Sequence, residues 1–371
     1  MDAGAQAVVL DRVEPLAERS VLGELIAFAR RNPMAFAGGL VGFLIIAMAI
    51  TAPLIAPYDP LKTDFRRMSK TPDAVHVFGT DQVGRDTLSR VIYGARSSLI
   101  VAFASVLLGT TVGSLWGVAS GYLGGRFDLI SQRVTEVLQS FPDLILAMAI
   151  SMAIGTGMPA VIVAIAITRI PFGNRVIRSV ALTIREQSYV EAARAAGGTS
   201  LRVMGLHVLP QCLAPYLVLA TTHLGVAIII EAALGFLGVG IPPPTPTWGN
   251  MLADSLTSLV PHWWLVFFPG LAITLTVLAF NLFGDGIRDT LDPRLSPAFM
   301  RMMAGAGRRR PGHAANGSNG TAAGSVLASG FPRLPVSRAT RKREADDAGN
   351  PSPVFEGDPA RGPCRGDVRR A

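Results

Sequence analysis

Six long apolar runs dominate the chain and restrict it to folds that cross a membrane. The clear runs lie at 34–56, 97–121, 212–239 and 263–286, and two weaker ones at 135–155 and 158–182. A helix of about 20 mostly apolar residues crosses a hydrocarbon core of about 30 Å. The pattern therefore predicts an all-α membrane protein with six transmembrane helices. Asp143 and Arg169 interrupt the weaker runs, so these two helices are expected to face the bundle interior.

The two ends of the chain differ from this apolar centre. Residues 1–33 mix acidic and basic groups without the apolar core of a signal peptide, and 21–30 could form a surface helix. Residues 298–371 hold 13 Lys/Arg and 6 Asp/Glu with few large apolar groups. Such a composition cannot bury enough surface to fold, so a disordered basic tail is predicted.

The distribution of arginines predicts the orientation. Arg175, Arg178, Arg185, Arg194 and Arg202 lie near the connection between the fourth and fifth runs, whereas 241–262 contains no Lys or Arg. Positive residues favour the cytoplasmic side, so this connection and both termini are expected inside. Segment 57–96 is then outside although it carries seven Lys/Arg against five Asp. The interleaved acids suggest a folded cap there.

The connection at 186–210 carries the most specific motif. Its spaced residues are Glu191, Ala192, Ala193, Gly197, Leu209 and Pro210. Alanines favour helix, whereas glycine reaches left-handed angles without a steric cost. Two short helices with a bend at Gly197 are therefore predicted, with Pro210 at the start of the next membrane helix.

This spacing resembles the EAA loop of ABC-importer permeases, with His207 in place of the usual Ile. The resemblance implies a cytoplasmic coupling helix that docks on a separate ATPase subunit. The alternative is an ordinary interfacial helix–turn–helix between two spans.

A second resemblance lies in the cap. Residues 76–99 are similar to a signature of dipeptide, oligopeptide and nickel permeases, through Gly79, Thr80, Asp81, Gly84, Arg85, Asp86, Arg90 and Arg96. The acids and arginines among them are expected to form an ion-pair network that holds the cap on the bundle. Nucleic-acid binding is not expected, because acids are interleaved and no aromatic platform accompanies the arginines. Segments 124–147, where Pro142 is expected to kink the helix or begin its membrane part, and 231–252 also resemble this permease group.

Glu231 and Arg169 are the ionisable residues that could line a translocation path or gate. Glu231 follows an apolar stretch, and an ionisable group at membrane depth is a functional candidate. The alternative is a structural role, in which Glu231 pairs with Arg169 or with a hydroxyl.

Several enzyme classes lack their motifs. None of the lysines, Lys62, Lys70 and Lys342, follows a glycine, so no phosphate-binding G-x-x-x-x-G-K-[ST] loop is present. The two cysteines and five histidines have no ligand spacing. The chain is thus not expected to be an enzyme or to bind a metal or cofactor, and ATP and Mg²⁺ are expected on partner subunits.

Together the resemblances imply a type I ABC-importer permease of the bacterial inner membrane. Its parts would be the cytoplasmic segment 1–33, a first helix at 34–56, a periplasmic cap at 57–96, a core at 97–297 and the tail. The implied partners are a second permease, two ABC ATPases, an extracytoplasmic solute-binding protein and membrane lipid. Small peptides are the expected substrate, and nickel chelates or glutathione are alternatives. An ATP-independent secondary transporter or channel is the rival from another class.

Overall fold

The chain folds into a bundle of helices. The computed structural model describes residues 23, 28–257, 260 and 262–291. In chain order the helices are α1 (Pro33–Ile50), α2 (Ala52–Ile55), α3 (Thr87–Leu123), α4 (Gly125–Gln139), α5 (Asp143–Ile154), α6 (Met158–Arg185), α7 (Ser188–Ala195), α8 (Ser200–Val203), α9 (Leu213–Phe236), α10 (Trp248–Leu256) and α11 (Trp263–Leu291). Within the described residues the only β pairing is an isolated bridge between Thr80 and Asp86. The predicted all-α class is confirmed.

Five helical segments are long and apolar enough to cross a membrane, namely α1, α3, α6, the stretch Ser200–Phe236 and α11. Helices α4 and α5 form a sixth span only as a pair, with a bend of 91° between them. The weaker run at 135–155 is therefore not one helix, which corrects that boundary. The chain turns before Pro142, because a proline disfavours helical angles in the residue that precedes it.

Helices α3 and α6 approach each other so closely along one face of α3 that a Cβ atom would not fit between their backbones. Glycines recur every four residues along one face of α3, at Gly109, Gly113, Gly117 and Gly121. A Cβ on Gly117 would lie 2.5 Å from the Asn174 carbonyl oxygen, and one on Gly121 would lie 2.8 Å from that of Arg178. Small residues at this spacing let two membrane helices approach backbone to backbone.

Two separate hydrophobic cores lie on either side of this glycine contact. The core at the end of the bundle that carries the cap, called the outer core, contains residues such as Leu99, Ile165, Ile228 and Trp248. The core at the end that carries residues 186–210, called the inner core, consists of the buried residues Val118, Tyr122, Ile177, Ala181, Val190, Val203, Val208 and Cys212. Helices α3 and α6 contribute residues to both cores, so they connect the two ends of the bundle.

Polar contacts attach α4 to the inner half of α3 and α6. Asp128 accepts two hydrogen bonds of 2.5 Å from the guanidinium group of Arg178. The Gln132 amide donates to Asn174 at 3.1 Å, and the Trp116 indole donates to Ser131 at 3.0 Å. Hydrogen bonds between helices satisfy polar groups that would be costly in hydrocarbon.

Some predicted boundaries need correction. Helix α1 ends at Ile50, before the predicted end of the first span at 56. The cap ends at Asp86 instead of 96, because the Asp86 side chain accepts a hydrogen bond from Ser89 N and begins α3 at Thr87. Pro210 begins a 3-10 turn, Pro210–Cys212, that leads into α9 at Leu213. The helical stretch itself already runs from Ser200, so Pro210 lies inside the span and not at its start.

Two predictions concern the chain ends. Residues 28–31 are helical and Gly23 is helical, but the rest of the predicted surface helix at 21–30 lies outside the described residues. The tail at 298–371 lies wholly outside them.

Candidate functional site

The motif at 186–210 forms the predicted pair of short helices. α7 ends at Ala195, and Gly197 adopts a φ of +84°. The Gly197 N–H donates to the Arg194 carbonyl at 2.9 Å, and the Gly198 N–H donates to the Ala193 carbonyl at 3.1 Å. These two bonds define a Schellman termination, which requires a left-handed residue at the Gly197 position. The bend predicted at Gly197 is confirmed.

Three buried valines fix this coupling loop (residues 186–210) to the inner core. Val190 of α7, Val203 of α8 and Val208 are all at most 1 % exposed. They belong to the same core as Val118 of α3 and Ile177 of α6. A displacement of the coupling loop therefore acts on both long helices, because packed interiors leave no free space to absorb it.

Tyr122 adds a second link between the coupling loop and α3. The Arg194 guanidinium lies over the Tyr122 ring, 4.7 Å from its centroid, and its Nε donates to the Tyr122 hydroxyl at 3.2 Å. Arg185 Nη1 donates to the Tyr122 carbonyl at 3.3 Å. A cation over an aromatic ring is favourable. These contacts attach the coupling loop to the last turn of α3.

The opposite face of the coupling loop is open. Glu191, Ala192, Gly197 and Pro210 are exposed, and Leu201 is 75 % exposed. Ala193 is half-buried and packs against the inner core, and Leu209 is 39 % exposed. Glu191 forms no ion pair with another described residue. Exposed apolar side chains grouped on one face mark a surface that contacts another protein or the membrane.

At the other end of the bundle, an ion-pair network joins the cap to α10. Arg85 lies 2.5 Å from Asp81 and 3.3 Å from Asp254. Arg90 lies 3.0 Å from Asp81 and 3.2 Å from Asp254. Two arginines thus bridge two carboxylates, one in the cap and one in α10. The predicted network exists, but Asp254 was not among its predicted members.

Two predicted members lie outside this network. Asp86 instead bonds His76 Nδ1 at 2.8 Å and caps α3. Arg96 is exposed and forms no ion pair within the described residues. Its predicted role in the network is wrong, because Arg96 lies on the face of α3 that borders α1, beside Ile46 and Ala49.

The glycines and Thr80 of the cap have direct structural reasons. Gly84 has a φ of +81° and lies against the Asp64 backbone, where a Cβ would not fit. Gly79 has a φ of +73°, and a Cβ there would lie 2.6 Å from the Lys70 carbonyl oxygen. The Thr80 hydroxyl accepts from Lys70 N at 2.9 Å and donates to the Arg67 carbonyl. These residues hold the segment 79–84 against the segment 64–70 within the cap.

Burial raises the pKa of the Asp254 carboxyl above its ordinary 3.8, and the attraction of Arg85 opposes this only in part. A carboxyl whose pKa rises on folding favours the folded state most below its unfolded pKa. That contribution is lost as the pH rises through the folded pKa. Net folding stability is therefore not expected to fall at mildly acidic pH through Asp254, although its ion pairs with Arg85 and Arg90 lose their charge once the carboxyl is protonated.

Arg90 and Arg96 provide a matched test of the network, since both lie on α3. Arg90→Ala should cost about 3 kcal/mol, because it leaves the buried Asp81 and the partly exposed Asp254 with Arg85 as their one remaining cationic partner among the described residues. The apparent melting temperature in detergent should fall by at least about 5 °C. Arg96→Ala should change it by no more than about 2 °C, as expected for exposed positions. Equal effects of the two variants would contradict the network.

Glu231 and Arg169 do not pair with each other. Glu231 is 2 % exposed, its carboxyl lies beside the Ser98 and Thr247 hydroxyls, and its Oε2 has no hydrogen-bond partner within the described residues. Arg169 forms its ion pair with Asp143, the first residue of α5. The structural alternative that pairs Glu231 with Arg169 is therefore wrong. The other structural alternative, in which Glu231 lies beside hydroxyl groups, agrees with the fold.

The matching family models cover most of the membrane region. Residues 96–297 match the model described as "Binding-protein-dependent transport system inner membrane component". Residues 28–72 match the "N-terminal TM domain of oligopeptide transport permease C".

The chain belongs to the family of binding-protein-dependent transport system inner-membrane components. The coupling loop and all spans from α3 onward lie largely within the longer match.

Three curated relatives of this permease align with more than two thirds of the chain. It is 43 % identical over 274 residues to the di/tripeptide transport system permease protein of Pseudomonas aeruginosa, covering 72 % of this chain and 90 % of the relative. It is 40 % identical to the dipeptide transport system permease protein of Alkalihalophilus pseudofirmus, over 72 % of this chain and 88 % of the relative. It is 41 % identical to the glutathione transport system permease protein of Pectobacterium atrosepticum, over 71 % and 88 %.

Three features of the permease were missed from the sequence, namely Asp254, Tyr122 and the glycines of α3. The four-residue spacing of the glycines is visible in the sequence and could have indicated the α3–α6 contact. Asp254 lies 164 residues from Arg90 along the chain, and no local pattern connects them. Among the described residues, no group of three or more His, Cys, Asp or Glu side chains could hold a metal ion.

Proposed function

We propose that this permease is a membrane subunit of an ATP-driven importer of small peptides. The observation that supports this proposal most strongly is the open coupling loop, which is anchored to α3 and α6 and exposes Glu191 on its other face. The identity of 43 % to a di/tripeptide permease supports peptides as the substrate. The glutathione relative supports that tripeptide as a second candidate.

The proposed partners are a second permease, two ATPases and an extracytoplasmic solute-binding protein. ATP and Mg²⁺ belong to the ATPases, and the bundle lies in the bacterial inner membrane with both termini in the cytoplasm. The arginine-rich coupling loop supports this orientation, since positive loops stay on the cytoplasmic side.

The helices offer a direct route from the ATPase contact to the outer face. α3 has 37 residues and, at 1.5 Å per residue, is about 55 Å long. Its inner end contacts the coupling loop through Tyr122, and its outer end carries Arg90, which bonds Asp254 of α10. An ATPase that binds the coupling loop differently in its two nucleotide states would shift this whole unit. Access to the path would then alternate between the two sides.

Glu231 and Arg169 are proposed to act near that path. Glu231 joins α9 to the first residues of α10 through Thr247, and Arg169 holds the bend between α4 and α5 through Asp143. Both are buried, so their proposed action is to position helices that move.

Reconstitution tests the proposal. The complete transporter in proteoliposomes, with its solute-binding protein outside and ATP inside, should accumulate labelled dipeptide. Omission of ATP or of the binding protein should each reduce uptake to background. Uptake by this chain alone without ATP would support a secondary transporter or channel instead.

A further inference from the structure

A groove of about 660 Å³ lies between the start of the cap and the loop that precedes α10. Its walls carry the prolines Pro53, Pro57, Pro60, Pro244 and Pro246. Tyr58, Asp59 and Tyr93 also line it, and Asp59 is the one charged residue in its lining. No function assigned above uses this groove.

The walls of the groove are held in place by contacts outside it. Tyr58 N donates to Ser89 Oγ at 3.1 Å, and the Tyr58 hydroxyl donates to the Val75 carbonyl at 3.1 Å. Asp59 Oδ1 accepts from Leu61 N at 2.8 Å, while Asp59 remains exposed. Because proline fixes its backbone angle φ, a wall of five prolines changes shape little.

The chemistry of the groove favours a cation. Proline has no N–H, so these wall segments present carbonyl acceptors with few donors. The Asp59 carboxylate adds a negative charge, and aromatic rings such as those of Tyr58 and Tyr93 attract cations. A lysine or arginine side chain satisfies all three features, whereas an acidic group would meet the like charge of Asp59.

The position of the groove favours a protein as its occupant. It is formed by the cap and an outer loop, and a transport path must instead run between the spanning helices. We propose that the groove receives a loop of the extracytoplasmic solute-binding protein that carries a lysine or arginine. This inference rests on the proposed function and its orientation.

Charge reversal in the groove tests the proposal. The assembled transporter in lipid nanodiscs would be titrated with the purified solute-binding protein of the same transporter. Asp59→Lys should weaken binding at least about tenfold, because it places a like charge within a few ångströms of the incoming cation. Asp59→Asn keeps the contact with Leu61 N and should weaken binding about threefold. This variant tests the proposal even if the charge reversal disturbs the fold of the cap.

Asp73→Lys is the matched control. Asp73 is exposed in the same cap and accepts from the N–H two residues ahead, at 2.9 Å, as Asp59 does, and also from His76 N at 2.6 Å. It lies outside the groove lining. It should change the affinity less than about twofold. Wild-type affinity in Asp59→Asn, or equal losses in both reversals, overturns the groove proposal alone. A wild-type complex that neither binds the protein nor imports peptide overturns the proposed function instead.

Discussion

Replacing Gly113 with leucine is expected to remove most of the folded permease. A Cβ at Gly113 would overlap the Ile170 backbone of α6, and a backbone carbonyl cannot rotate away as a side chain can. Overpacking costs typically about 1–3 kcal/mol, and more where neighbours cannot move. The two helices would have to separate along a contact that connects both hydrophobic cores. The yield of monodisperse protein after detergent extraction should fall at least about fivefold, consistent with a loss of this size.

Gly270→Leu is the control for this prediction. Gly270 lies inside the membrane helix α11, and a Cβ there would meet no atom within 4 Å. This variant should be extracted in nearly normal amount, because added apolar volume on an open face costs little. A normal yield of Gly113→Leu would show that α3 and α6 do not pack as described.

Replacing Gly197 with valine should abolish ATP-driven transport while the protein still inserts and folds. The φ of +84° is costly for any residue with a Cβ, by about 1–2 kcal/mol, and more for a β-branched one. No atom lies within 4 Å of the added Cβ, so the cost is relieved by changing the angle between α7 and α8. The face that carries Glu191 would then no longer fit a rigid partner. Uptake in proteoliposomes should fall at least about 30-fold, because small misplacements of a coupled contact have large effects.

Gly205→Val separates backbone strain from added bulk. Gly205 lies in the same coupling loop, has open space around it and has no positive φ. It should retain at least about half of the wild-type uptake, as surface substitutions without strain usually do. Extraction and melting of both variants should match the wild type. Full transport by Gly197→Val would contradict the proposed coupling through this bend.

The fold was largely predictable because its strongest signal is composition. Apolar runs locate the spans, and the Ala-rich stretch followed by two glycines locates the bend of the coupling loop. The right-angle break before Pro142 was less predictable, because a proline permits either a kink inside one helix or the start of another. The early beginning of α3 at Thr87 was missed, although Asp86 followed three residues later by Ser89 is a recognisable start of a helix.

The candidate site was predictable where its residues are close in sequence. Glu191 through Gly197 could be placed, since helix propensity and glycine geometry act locally. The Arg90–Asp254 and Arg194–Tyr122 contacts join parts of the chain that meet only after the helices pack. Arg96 has the same charge as Arg90 and lies on the same helix. Which of the two meets the cap depends on which face of α3 is turned toward it.

The glycine contact between the two hydrophobic cores has a consequence for how such permeases diverge. A junction made of backbone has no side chains that could repack to compensate for a change on either side. Each half of the bundle can therefore vary in sequence independently, provided that the spacing of Gly109 to Gly121 is kept. Exchange of the half that carries the coupling loop between relatives at this junction should give chimeric proteins that remain well packed.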